Sequence, residues 1–139
     1  MIEFRMQQIK IEQFAILSET PPTEFYIENH FSVGVDTNNH TAAMRLRVDY
    51  CANKNILLTL TLVCSFSINT ESWKLLISDN KVIIPRGFIV HMAVHTLGTA
   101  RGVLFTKTEG SEWQNKILPP TNVDEVFKND LIVQLPSTI

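Results

Sequence analysis

The residues whose type and spacing come nearest to chemistry are two histidines one helical turn apart, His91 and His95. At i and i+4 both imidazoles can reach one metal ion, as in helix-borne His-Glu-x-x-His sites. Here the stretch reads His91-Met92-Ala93-Val94-His95, so the glutamate is missing, and no third ligand is suggested nearby. The competing reading is a pair of partly buried or interface histidines on a helix, and it is the stronger one. No Gly-x-Ser-x-Gly elbow, phosphate-binding loop or Gly-x-Gly-x-x-Gly turn occurs. Asp124 and Glu125 read as helix-start carboxylates favoured by the helix dipole, and "TEGSEW" as a solvated loop. Cys51 and Cys64 sit inside apparent strands without Cys-x-x-Cys spacing, which favours buried free thiols, with a disulfide the minor alternative. No catalytic residue, cofactor or metal is expected, and an enzyme is the least favoured class.

The elements that must position any site read as strands first. Ile9, Ile11, Phe14 and Ile16 alternate with polar residues, but the phase slips at Glu12 and Gln13, as a bulge makes it do. "FSVGVD" alternates Phe31, Val33 and Val35, and "AMRLRVDYC" sets Met44, Leu46, Val48 and Tyr50 against Arg45, Arg47 and Asp49. The turn "DTNNHT" joins those two, since Asn and Asp bond their own backbone. "NILLTLTLVCSFSI" from Asn55 carries no charge, which asks for cover on its faces, and "CANKN" makes it the second strand of a hairpin. "SWKLLISDNKVII" reads as a loop or irregular strand ending at Pro85, which suits the first turn of a helix. From Arg86 to about Phe105, Ile89, Ala93, Leu97, Ala100 and Leu104 recur at helical spacing, while Phe88, Val90, Met92 and Val94 widen the stripe nearly all round. Gly98 and Gly102 share a side with His91 and His95, and each costs about 1 kcal/mol relative to Ala, so a close-approaching partner is expected there. Asn122 then reads as an N-cap with Glu125 three residues on, opening a short amphipathic helix through Val123, Val126, Phe127 and Leu131.

Strands followed by helices is the order of an α+β fold with helices on one face of an antiparallel sheet. The 139 residues suit one domain, 1–139. Apolar residues make 45% and charged ones 19%, leaving a surface short of charge, and the net charge of −2 with scattered Lys and Arg argues against nucleic acid. The apolar runs break before a membrane span, and the first residues lack the h-region of a signal peptide; membrane insertion is not expected, and a cytoplasmic protein is.

Two segments carry a resemblance. "RVDYCANKNILLTLTLVCSFSI" resembles the central hairpin of the SecB family of bacterial export chaperones. "KILPPTNVDEVFKNDL" resembles that family's C-terminal Leu-x-Pro-x-Asn-[Phe/Val]-Asp-x-[Leu/Val]-Phe segment, with Leu118, Pro120, Asn122, Val123, Asp124, Val126 and Phe127 in register. "PRGFIVHMAVHTLGTARGVLF" stands where the family has its long helix, so the likeness covers nearly the whole chain.

The resemblance implies a four-stranded antiparallel sheet with a long helix and a short C-terminal helix packed on one face. It implies dimers joined through outer strands, and tetramers stacked through the long helices. It also implies ATP-independent holding of unfolded or precursor polypeptides in apolar grooves, with a link to protein transport. On this chain the candidate peptide-binding residues are Phe66, Ile68, Trp73, Leu75 and Phe88, whose competing reading is plain core. The candidate homo-oligomer interface is Leu58, Leu60 and Leu62 on the strand, with His91, His95, Gly98 and Gly102 on the helix. Docking of the translocation motor SecA is not expected. Glu19 is the one first-strand acid kept, Ala15 and Thr59 stand where further acids are aligned, and the tail is only "LPSTI". The alternative is a non-chaperone protein on the same scaffold, an adaptor or toxin-antitoxin-associated partner with one client.

Overall fold

The computed structural model describes residues 2–136. Four strands, β1 (Phe4–Ile16), β2 (Tyr26–Asp36), β3 (Thr41–Ala52) and β4 (Asn55–Ile68), form one antiparallel sheet in the order β1-β4-β3-β2. Three hairpin-linked strands with the remaining one beside the last is a Greek key. Its crossover is the segment 17–25, which runs from one sheet edge to the other. The Trp113 indole donates to the Ser18 carbonyl at 2.7 Å, and Phe25 stacks on Tyr50 with ring centres 5.6 Å apart, so the crossing chain is held at both ends.

Turn chemistry sets the pairing. Asp36 accepts from the backbone N–H of Asn38 and Asn39 and from the Asn39 amide, closing the β2–β3 turn. Those bonds hold its carboxyl below the usual aspartate range, the Asn39 side chain contributing most. Asn53 and Lys54 both take positive φ, 52° and 67°, the two-residue geometry whose twist matches the flanking strands β3 and β4. The phase slip read at Glu12 is a register shift between Ile11 and Gln13, and a second lies between Met6 and Gln8.

The inner face of the sheet carries the core. Met44, Leu46 and Val48 on β3 and Leu58, Leu60, Leu62, Cys64 and Phe66 on β4 are buried. Over β3 and β4 lies α2 (Arg86–Lys107), which presents Phe88, Ile89, Met92, Ala93, Thr96, Leu97, Ala100 and Leu104 to them. Pro85 is the N-cap of that helix rather than its first helical residue.

Two segments differ from their sequence readings. Residues 69–84 are ordered as α1 (Thr70–Leu75) followed by the hairpin of β5 (Ile77–Ser78) and β6 (Lys81–Ile84). The Asn69 side chain caps α1 by accepting from the N–H groups of Glu71 and Ser72, and Asp79 and Asn80 supply the positive-φ turn. The expected C-terminal helix is a single 3-10 turn, Val123–Glu125, whose Asn122 makes no side-chain cap bond. Leu131 instead begins β7 (Leu131–Gln134), the third strand of a small sheet ordered β5-β6-β7. Arg86 fixes this return. Its guanidinium donates to the carbonyls of Phe127 and Asp124, and its backbone N–H to Asp130 Oδ1, which takes the hydrogen bonds a longer helix would have made for itself.

Candidate functional site

Most of the residues read as a peptide groove are core in this protomer. Phe66, Ile68, Trp73 and Phe88 are buried, Trp73 under the stacked ring of His40 with centres 4.7 Å apart. Leu75 alone is open, at 80% exposure on the last turn of α1. Leu58, Leu60 and Leu62, read as an interface, face α2 and belong to the same core.

The helix half of the interface reading lies elsewhere. Gly87, His91, Val94, Gly98, Gly102 and Phe105 recur at spacings of three and four, and all are exposed, forming one uncharged outward stripe on α2. An added Cβ at Gly102 would meet nothing within 4 Å, and at Gly98 only the Arg101 guanidinium at 4.0 Å. Packing within the protomer therefore gives no reason for either glycine. His95 flanks that stripe toward the β1 side of the sheet. Its ring lies 6.5 Å from Phe66, and that of His91 lies 5.2 Å from Phe4. The two imidazoles stack at 4.7 Å with planes 16° apart, the arrangement of an aromatic surface patch.

Beside this flank, β1 leaves apolar surface uncovered. Ile9 pairs with Cys64, Ile11 with Leu62 and Ile16 with Leu58, so all three point to the inner face, in line with buried residues of β4. Yet Ile9 is 50% and Ile11 41% exposed, because α2 lies mainly over β3 and β4 and meets β1 at Phe4 rather than along Ile9 and Ile11. Leu17, just beyond the strand, is 63% exposed. Cys64 closes the floor between strand and helix. Burial pushes its thiol up, while hydrogen bonds with Thr96 and Thr99 oppose that shift. The result is an uncovered apolar strip, a trench in outline, between the free backbone edge of β1 and the flank of α2 where His95 lies near Phe66 and Thr99 bonds Cys64.

The outer face is polar and internally paired. Glu12 takes a two-point bond from Arg45, at 2.8 and 2.9 Å, which holds its carboxyl below the usual glutamate range. Thr59 is buried and donates to Asp49, and Ala15 stands directly opposite it on β1. Among the described residues, the cluster with three metal-ligating groups is also on this face, at Glu28, His30 and Asp49 rather than at His91 and His95. Residues 137–139, on which part of the tail reading rests, lie outside the described residues.

By length and composition α2 could also cross a bilayer, but the core helix of a soluble protein meets the same test, and this one is packed on the sheet. No family model matches the chain, and neither a curated protein nor a solved structure matches it.

Proposed function

We propose that the protein is an ATP-independent holding chaperone of the SecB kind, which binds unfolded polypeptides along the trench between β1 and α2 and assembles through the outward stripe of α2. The observation that carries this reading is the exposure of Ile9 and Ile11, which stand opposite the buried inner-face residues Cys64 and Leu62 of β4. An uncovered row of this kind on an edge strand offers apolar contacts together with unpaired backbone groups, and an extended segment of any sequence can use both. Assembly through α2 takes up the stripe carrying Gly98 and Gly102, and leaves the trench on its flank accessible. The paired acids of the outer face, Glu12 with Arg45 and Asp49 with Arg47, have little charge to offer a basic motor surface, so docking of SecA there is not part of the proposal.

The test is suppression of light scattering by a chemically unfolded client, without nucleotide. The wild-type protein delays aggregation at near-stoichiometric ratio, and the double variant Ile9→Lys/Ile11→Lys, altered only at exposed positions, keeps its circular dichroism and loses most of the effect. Equal suppression by the variant removes the trench from the account. No suppression by the wild type favours an adaptor with one client.

A further inference from the structure

On the solvent-facing side of the main sheet, away from the trench, β2 and β3 bring three metal-ligating side chains to one point. Glu28 and His30 are two residues apart on β2 and so share a face, and Asp49 of β3 stands directly opposite Glu28. His30 Nε2 lies 3.3 Å from Glu28 Oε2 and 3.9 Å from Asp49 Oδ2, and the three donor atoms all fall within 4.8 Å of one another. Donors about 2.0–2.2 Å from a tetrahedral zinc ion are roughly 3.3–3.6 Å apart, so side-chain shifts of about an ångström complete the coordination.

Two further observations separate this cluster from a loose group of surface charges. Asp49 has a side chain only 5% exposed, while its neighbours His30 and Glu28 are about half exposed. Its carboxylate is fixed by Thr59 Oγ1 donating to Oδ1 at 2.6 Å and by Arg47, which stands opposite His30 on the same face and whose Nε donates at 3.1 and 3.0 Å to the two oxygens. Outer hydrogen bonds of this sort orient a ligating carboxylate. The second observation is charge. Arg47 balances Asp49, whereas among the described residues Glu28 pairs with His30 and with no Lys or Arg, which leaves the Glu28 carboxylate's charge beside the imidazole Nε2.

We propose that Glu28, His30 and Asp49 form a binding site for a divalent transition-metal ion of the zinc class, with its remaining coordination open to water. Calcium and magnesium are poorly served, since they take six or more oxygen ligands, while an imidazole with two carboxylates suits zinc and its neighbours. Both exposed ligands ride on the edge strand β2 and the third on β3, so the ion clamps the edge to the sheet.

Titration of the chelator-treated full chain with zinc alone, by calorimetry, tests the site, with cobalt absorption reporting the ligand geometry. One ion per chain at micromolar affinity is expected, and His30→Gln and Glu28→Gln each lower that affinity at least ten-fold with unchanged circular dichroism. Thr59→Val, which loosens Asp49 without removing a ligand, lowers it roughly ten-fold. His91→Ala/His95→Ala, which deletes the other chelating pair, leaves the binding intact. Binding that is lost with His91→Ala/His95→Ala and kept by His30→Gln overturns the assignment, and so does the absence of binding at millimolar zinc.

Discussion

Replacing both Gly98 and Gly102 by alanine separates the needs of the helix from those of the proposed assembly. Both positions lie in the interior of α2 and face outward, where an alanine Cβ meets nothing beyond the helix's own backbone and adjoining residues closer than 4.0 Å. Within the protomer only helix propensity then changes, by about 1 kcal/mol in favour of each alanine. The pair should stabilise the isolated chain by about 2 kcal/mol. For a domain of this size that corresponds to a rise in Tm of roughly 6–10 °C. Assembly responds in the opposite sense, because two methyl groups on the stripe hold a partner helix away from the close approach that the glycines permit. Thermal unfolding in dilute solution reads the first effect, and light scattering coupled to size exclusion at tens of micromolar reads the second. Gly98→Leu exaggerates the loss of assembled mass. A lower Tm, or an assembled mass and concentration dependence unchanged by the substitutions, refutes the argument that these glycines serve a partner.

Trp73→Ala, at a buried position beneath His40, should cost about 3–5 kcal/mol in urea unfolding, whereas Leu75→Ser on the exposed end of α1 should stay within about 0.5 kcal/mol; equal midpoints would place Trp73 in a groove after all. Burial pushes the Tyr50 phenol up to about 12, from an ordinary value of 10.0, and its hydroxyl donates to the Lys116 carbonyl at 2.7 Å. A raised folded-state pKa means stability that is complete below pH 10 and lost as pH climbs toward 12, at most about 2 kcal/mol. Tyr50→Phe should lose about 1 kcal/mol at neutral pH and flatten that alkaline decline in pH-dependent urea curves, and an undiminished decline would assign it to another group. Cys51 and Cys64 are both buried, with thiols pushed up by burial, so neither should react with an aromatic disulfide reagent in the native protein at pH 8 and both should react in denaturant; fast native labelling would contradict their placement.

The alternation of Met44, Leu46 and Val48, the uncharged run of β4, the Asn and Asp turns and the helix opening after Pro85 all carry their structure in local pattern, and the sheet with its covering helix was legible from them. The slip at Glu12 was readable because a bulge breaks a period of two. The segments 69–84 and 121–135 were misread where short-range signals compete. Asn69 caps α1, while Asn122, with a similar flanking pattern, caps nothing, because Arg86 and the pairing of β7 with β6 draw that chain away. The burial of the candidate groove residues within the chain was hidden for a different reason. Sequence marks Phe66 and Trp73 as apolar but not as covered, and cover is decided by where α2 lies across the sheet. Ile9 and Ile11 read as ordinary inward residues of a strand, and only the offset of α2 from the β1 edge makes them surface. Glu28, His30 and Asp49 escaped notice because the first two meet the third only through the register of β2 on β3.

The central claim is that unfolded chains lie along the inner face of β1. It is tested most directly by photo-crosslinking from a benzophenone placed at position 11, with a second placed at the exposed position 38 in the β2–β3 turn, at the far edge of the sheet, as control. The account predicts efficient crosslinking of an unfolded client from position 11, none of the same client once folded, and little of either from position 38. Crosslinking that is equal from the two positions, or that does not distinguish unfolded from folded client, would contradict it.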